Sequence, residues 1–153
     1  MHRLDKLGLV IAAMASAALL ALPFATFRAN RIVAGEGRTL LDALPPAPAA
    51  VTMAILVGVG ALALLRTGPV PKLAGSLIAL LALILAIGMV PGHLTPPENT
   101  FARVSPASGF WVLLFAYALL ATDALARLKP PPLVRVLIPV SYTHLTLPTN
   151  REV

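Results

Sequence analysis

The sequence predicts an all-α, polytopic membrane protein with four transmembrane helices and the start of a possible fifth. Charged residues make up only 12% of the 153-residue chain, about half the roughly 25% of an ordinary soluble domain. Hydrophobic residues reach 58%, and the mean hydropathy is +0.88. These apolar residues are gathered into runs of spanning length, parted by polar segments rich in Pro, Gly and Arg.

Residues 1–139 form the expected transmembrane region, with helices over about 7–27, 47–65, 73–90 and 109–126. Leu7–Phe27 holds no charge, and at about 1.5 Å per residue it crosses a hydrocarbon core of about 30 Å. Its basic approach, Arg3 and Lys6, also suits a signal peptide. Signal h-regions run to only about 7–15 residues, however, so the segment reads as a retained helix. Arg28–Pro46 is the longest polar interruption. Within it Arg31, Glu36 and Arg38 are candidates to pair with one another or to dock a partner's outer surface. Ala47–Leu65 is the second run, with Gly58 and Gly60 suited to close helix approach. The brief Arg66–Lys72 turn makes it an antiparallel hairpin with the third run, Leu73–Val90. A loop from His93 to Ser108 leads to Gly109–Ala126, whose Asp123 stands four residues before Arg127 and can pair with it on one helix face. Ala13, Ala17 and Ala21, and likewise Ala82 and Ala86, form small-residue stripes expected to be packing seams. Leu133–Ile138 opens a further apolar stretch after Pro130–Pro132.

Charge placement predicts the orientation. Alternate segments on one side hold Arg3, Lys6, Arg66, Lys72, Arg127, Lys129 and Arg135, and the two long loops on the other hold Arg28, Arg31, Arg38 and Arg103. The positive-inside rule puts the N-terminus in the cytoplasm and the Arg28–Pro46 loop outside. Phe24, Phe27, Phe101, Phe110 and Trp111 gather at the outer ends, as interfacial anchors do.

Several chemistries are excluded. The net charge of +6 and pI near 10.9 come from single bases scattered between apolar runs, without the basic stripe and stacking aromatics of a nucleic-acid binder. Cysteine is absent, which removes disulfides, thiolate nucleophiles and cysteine metal sites. HExxH, GxSxG and Walker-type signatures are missing. Gly35-Glu36-Gly37 has no preceding strand signal or following lysine for a phosphate loop, and His93 has no partner ligand. The chain reads as a non-enzyme with no catalytic, cofactor or metal residues.

From Ser141 the character changes to polar and aperiodic, and Val140–Thr149 resembles translated sequencing adapter. Residues 140–153 are therefore set aside as a non-native tail, and the natural chain is expected to continue beyond Pro139.

Two stretches carry a family resemblance: Asn30–Arg38, and Ser108–Trp111 opening a helix that ends Thr122–Arg127. Together with the helix spacing, residues 8–138 resemble the N-terminal membrane extension of a glycine betaine (osmoprotectant) ABC-importer permease, in the subclass where extra helices precede the permease core. The resemblance implies a multi-pass protein of the bacterial inner membrane. It further implies a cytoplasmic ATPase subunit, an extracytoplasmic solute-binding protein and a second permease subunit as partners, besides the lipid bilayer. The Glu-Ala-Ala coupling loop of such permeases is missing, so no transport residue carries over. The alternative is a small multi-pass membrane scaffold with no transport role.

Overall fold

The computed structural model describes residues 6–29, 34–95 and 102–128. Arg3, Arg31, Phe101, Lys129, Arg135, the Leu133–Ile138 stretch and the 140–153 tail lie outside them. In chain order the elements are α1 (Lys6–Ala21), β1 (Ala25–Arg28), β2 (Glu36–Arg38), α2 (Leu40–Ala43), α3 (Pro46–Leu64), α4 (Pro69–Leu94), β3 (Arg103–Pro106) and α5 (Ser108–Arg127).

Helices α3, α4 and α5 are long and apolar enough to cross a membrane. All three begin earlier than the apolar runs suggest, α3 and α5 by one residue and α4 by four; in α3 and α4 Pro46 and Pro69 occupy the first helical position. An N–H there would have no intrahelical acceptor, so proline costs nothing and its fixed φ suits the helix. Helix α4 also outruns its prediction at the far end, passing Pro91 to Leu94. Its last turn is closed by Thr95, whose backbone N–H donates to the Pro91 carbonyl at 2.9 Å and whose hydroxyl donates to the same oxygen.

The first helix departs from expectation. It stops at Ala21 after 16 residues, about 24 Å, rather than running to Phe27. Pro23 has no N–H to continue the ladder and biases Leu22 away from the helical region. The chain beyond it becomes strand β1. Three described helices therefore have spanning length, and α1 is a shorter apolar partner in the same bundle.

The four long helices pack in a closed square, each against its sequence neighbours, with α1 against both α3 and α5. The start of α1 meets the end of α3 at Gly8 and Ala63, and Gly75 near the start of α4 packs on Leu62 and Val59. Gly109 at the start of α5 meets Pro23 just past the end of α1. The order is up-down-up-down. The interior is filled by Ile11, Leu56, Leu83, Leu113, Tyr117 and Leu120, interleaved with buried alanines on all four helices. Small side chains let helices approach closely where lipid offers no hydrophobic drive to associate.

Two expected seams change. Ala13, Ala17 and Ala21 are exposed, and α1 instead turns Gly8, Ile11, Ala15 and Ala18 inward. In α3 Gly60 is buried as expected, whereas Gly58 faces out with open space around it. Ala86 is buried and Ala82 half-buried.

The all-helical expectation also misses a three-stranded antiparallel sheet, in the order β2-β1-β3, at one end of the bundle. It is formed by the two long polar loops together with the residues after α1, and α4 extends alongside it in contact with β1 and β3.

Candidate functional site

The sheet cap is where the chain brings its most distinctive residues together. Strand β1 pairs with β2 through Ala25–Arg38, Thr26–Gly37 and Phe27–Glu36. Its other edge pairs with β3 from Ala25–Pro106 to Arg28–Arg103. Beside these ladders, the Phe24 N–H donates to Arg38 O at 2.7 Å and the Ala107 N–H to Phe24 O at 3.0 Å. The Gly109 N–H donates to Pro23 O at 2.8 Å. That bond joins an orphan donor of the first turn of α5 to a carbonyl just beyond α1, satisfying both.

The glycines follow from this geometry. A Cβ on Gly109 would lie 2.7 Å from Pro23 O and 3.1 Å from Leu22 O. On Gly35 it would lie 2.5 Å from Thr26 Cγ2, and on Gly37 2.8 Å from Pro23 Cβ. Phe110 turns inward and meets Phe24 edge-to-face at 5.8 Å, while Trp111 beside it meets Phe110 at 5.3 Å and is more than half exposed. Of the expected interfacial aromatics, Phe24 and Phe110 are thus core residues, and Trp111 keeps the exposure an anchor needs. Gly35–Arg38 and Ser108–Trp111, from the two stretches that carry the resemblance, lie on either side of β1 in one cap.

Charged groups at the cap are partly committed. Arg38 pairs with Glu36 at 2.9 Å, as expected, while Arg31 lies outside the described residues. Thr39 caps α2, accepting from the Asp42 N–H at 3.3 Å and donating to its carboxylate at 2.6 Å. His93 is exposed in the last turn of α4. Among the described residues there is no group of His, Asp and Glu able to hold a metal ion.

Inside the bundle the polar groups serve structure. Tyr117 is fully buried and its hydroxyl donates to Leu56 O at 2.5 Å, tying α5 to α3 across the diagonal of the square. Gly60 leaves room for it, since a Cβ there would stand 3.8 Å from the Tyr117 oxygen. At the opposite end from the sheet, Lys72 is buried and its Nζ donates to Ala63 O at 3.4 Å, the last turn of α3, where a cation suits the dipole. Gly8 approaches the same carbonyl so closely that a Cβ would fall 2.1 Å from it. Asp123 and Arg127 pair at 2.9 Å near the end of α5, the helix-end pair their spacing predicts.

Among the described residues, apolar grooves open on the bundle surface. One, of about 380 Å³, lies between α3 and α4 and includes Val51, Ile55, Leu85 and Met89. Another, of about 200 Å³, lies between α1 and α3 beside Ser16 and Gly60. The sequence reading overlooked Tyr117 and took Lys72 for a base of the Arg66–Lys72 turn, whereas it is buried in the first turn of α4. For Tyr117 a signal existed: Phe110, Leu113, Tyr117, Leu120 and Ala124 recur every three or four residues, the spacing of one helix face, and all five are buried.

Residues 5–148 match the family model described as ABC transporter permease YehY, N-terminal domain, a range that includes part of the segment set aside as a tail. No curated protein and no solved structure matches the chain.

Proposed function

The chain belongs to the family of the ABC transporter permease YehY N-terminal domain, and from that premise we propose that it is the N-terminal membrane region of an importer permease for glycine betaine or related osmoprotectants. The family makes it a transporter component embedded in a membrane and not a catalytic enzyme. ATP hydrolysis belongs to a partner ATPase. The proposed assembly adds a solute-binding protein and a second permease subunit, in a bacterial inner membrane with the N-terminus cytoplasmic. The charge distribution between alternate segments supports that orientation.

Within this assembly the bundle is a structural and docking module rather than the conduit. The observation that carries this is the filled diagonal, where Tyr117 reaches Leu56 O through a core of Ile11, Leu83, Leu113 and Leu120. Quaternary ammonium ions are held by open aromatic cages. The described aromatic row of Phe24, Phe110 and Trp111 is instead stacked edge-to-face on itself, with both phenylalanines buried. That packing supports a reading in which solute recognition lies outside this bundle.

Sequencing the DNA past the codon for Pro139 tests the proposal. A permease core with a Glu-Ala-Ala-type cytoplasmic loop is expected, and an immediate stop codon would favour the scaffold alternative. Uptake of labelled glycine betaine by the full permease with its ATPase and binding protein tests the solute. Competition by unlabelled betaine but not by an unrelated amino acid is the expected result. For orientation, a reporter fused after Gly37 should be active outside the cytoplasm and one after Gly68 inside it; the reverse pattern would overturn the topology.

A further inference from the structure

The register of the cap sets two arginines against each other. Arg28 on β1 and Arg103 on β3 are Cα partners, and directly opposed side chains in an antiparallel pair start about 4.5–5.5 Å apart at Cβ. Strand alternation sends them the same way. Ala25 is buried and Val104 packs on the core, so these two and Phe27 mark the inward side. Thr26, Arg28, Arg103 and Ser105 take the opposite side, and both arginines are exposed.

Like charges so placed destabilise a sheet, and no described carboxylate relieves them. Glu36 is the register partner of Phe27, belongs to the inward set and is held by Arg38. Asp42 is bonded to Thr39, and Asp123 is paired with Arg127 at the other end of the bundle. Among the described residues neither Arg28 nor Arg103 has an ion pair. The next register pair on the same side, Thr26 and Ser105, adds two hydroxyls about 7 Å along the strands.

The height of this face identifies the anion. The cap begins where α1 ends and α5 starts, next to Leu20, 86% exposed, and Trp111, 57% exposed. An indole prefers the membrane–water boundary, which puts the arginine pair just beyond the apolar surface, at the level of lipid headgroups. We propose that Arg28 and Arg103 bind the phosphate of an anionic phospholipid, with the Thr26 and Ser105 hydroxyls placed for the rest of its headgroup. Guanidinium groups suit this role through paired N–H donors to phosphate oxygens. The lipid would supply the negative charge the sheet lacks.

The test uses the full chain in phosphatidylcholine micelles, titrated with short-chain phosphatidylglycerol and followed by the fluorescence of Trp111, the chain's single tryptophan. At about a fivefold contribution per arginine near an anionic surface, R28Q/R103Q should weaken phosphatidylglycerol binding about 30-fold at low salt. R28K/R103K should retain most of it, and R66Q/R127Q, at the other end, should retain all of it. Equal loss in R66Q/R127Q would reduce the effect to net charge and overturn the proposal. So would saturation by millimolar inorganic phosphate, or competition by polyglutamate at equal charge, which would reassign the pair to a free anion or an acidic protein. Lipid retained by the wild-type chain after washing tests the claim without any variant. Enrichment of phosphatidylglycerol over phosphatidylcholine is expected, and equal retention would overturn it.

Discussion

Replacing Gly109 with alanine sets two opposed effects against each other at the joint between the cap and the bundle. In an open helix the change is favourable by about 0.8–1.0 kcal/mol, because alanine is the better helix former. At Gly109 the new methyl would lie 2.7 Å from Pro23 O, 3.1 Å from Pro23 C and 3.1 Å from Leu22 O. These are backbone atoms, so no side chain can swing aside. Overpacking of this kind costs about 1–3 kcal/mol, and displacement sacrifices the 2.8 Å bond from the Gly109 N–H to Pro23 O, about 0.5–1.5 kcal/mol more. Subtracting the propensity gain leaves a net loss of about 0.5–4 kcal/mol. Gly88→Ala is the control, since nothing lies within 4 Å of a Cβ there; it should be neutral or slightly stabilising. Reversible unfolding in mixed micelles measures both, with Trp111, two residues from the substitution, reporting on the joint. A Gly109→Ala variant as stable as Gly88→Ala would refute the close approach of α5 to Pro23.

Tyr117→Phe removes the donor to Leu56 O and keeps the ring. Interhelical hydrogen bonds in membranes average about 0.6 kcal/mol with a maximum near 1.7, so a loss in that range is expected by the same unfolding assay. Gly35→Ala drives a methyl to 2.5 Å from Thr26 Cγ2, and because the obstacle is one methyl, Thr26→Ser should restore most of the loss in the double variant. A double mutant no better than Gly35→Ala alone would show that the β1–β2 contact is not the cause. Asp123→Asn breaks the pair with Arg127 but should cost under about 0.5 kcal/mol, as expected for an i,i+4 pair at a helix end. A larger loss would mean that Asp123 holds more than Arg127.

Membrane class and the approximate spans of α3, α4 and α5 were legible because they depend on local composition. An apolar run of spanning length can satisfy its backbone only as a helix in lipid, whatever it packs against. The Asp123–Arg127 and Glu36–Arg38 pairs were legible for the same reason, since their partners are four and two residues apart. The stop in α1 was less visible, although Pro23 stood in the run, because the residues after it are as apolar as those before. The glycines of the two marker stretches were recognisable as habits of a family, but their purpose became physical only when Pro23 and Thr26 were placed against them.

What the sequence determined by itself is the solvent this chain lives in, the positions of its three spanning helices and its resemblance to permease extensions. What only the tertiary structure decided is which faces meet. Helix α3 is apolar on every side, so no periodicity separates buried Gly60 from exposed Gly58, and α1 offers alanines in every direction, of which packing selected Ala15 and Ala18 over Ala13 and Ala17. The cap is the extreme case. Strands of three and four residues carry little signal of their own, and β1 is defined by partners about 10 and about 80 residues further along the chain. Their pairing becomes favourable only once α1 and α5 bring Pro23, Phe24, Ala107 and Gly109 within hydrogen-bonding distance, because the entropy of closing so long a loop is then already met by the bundle.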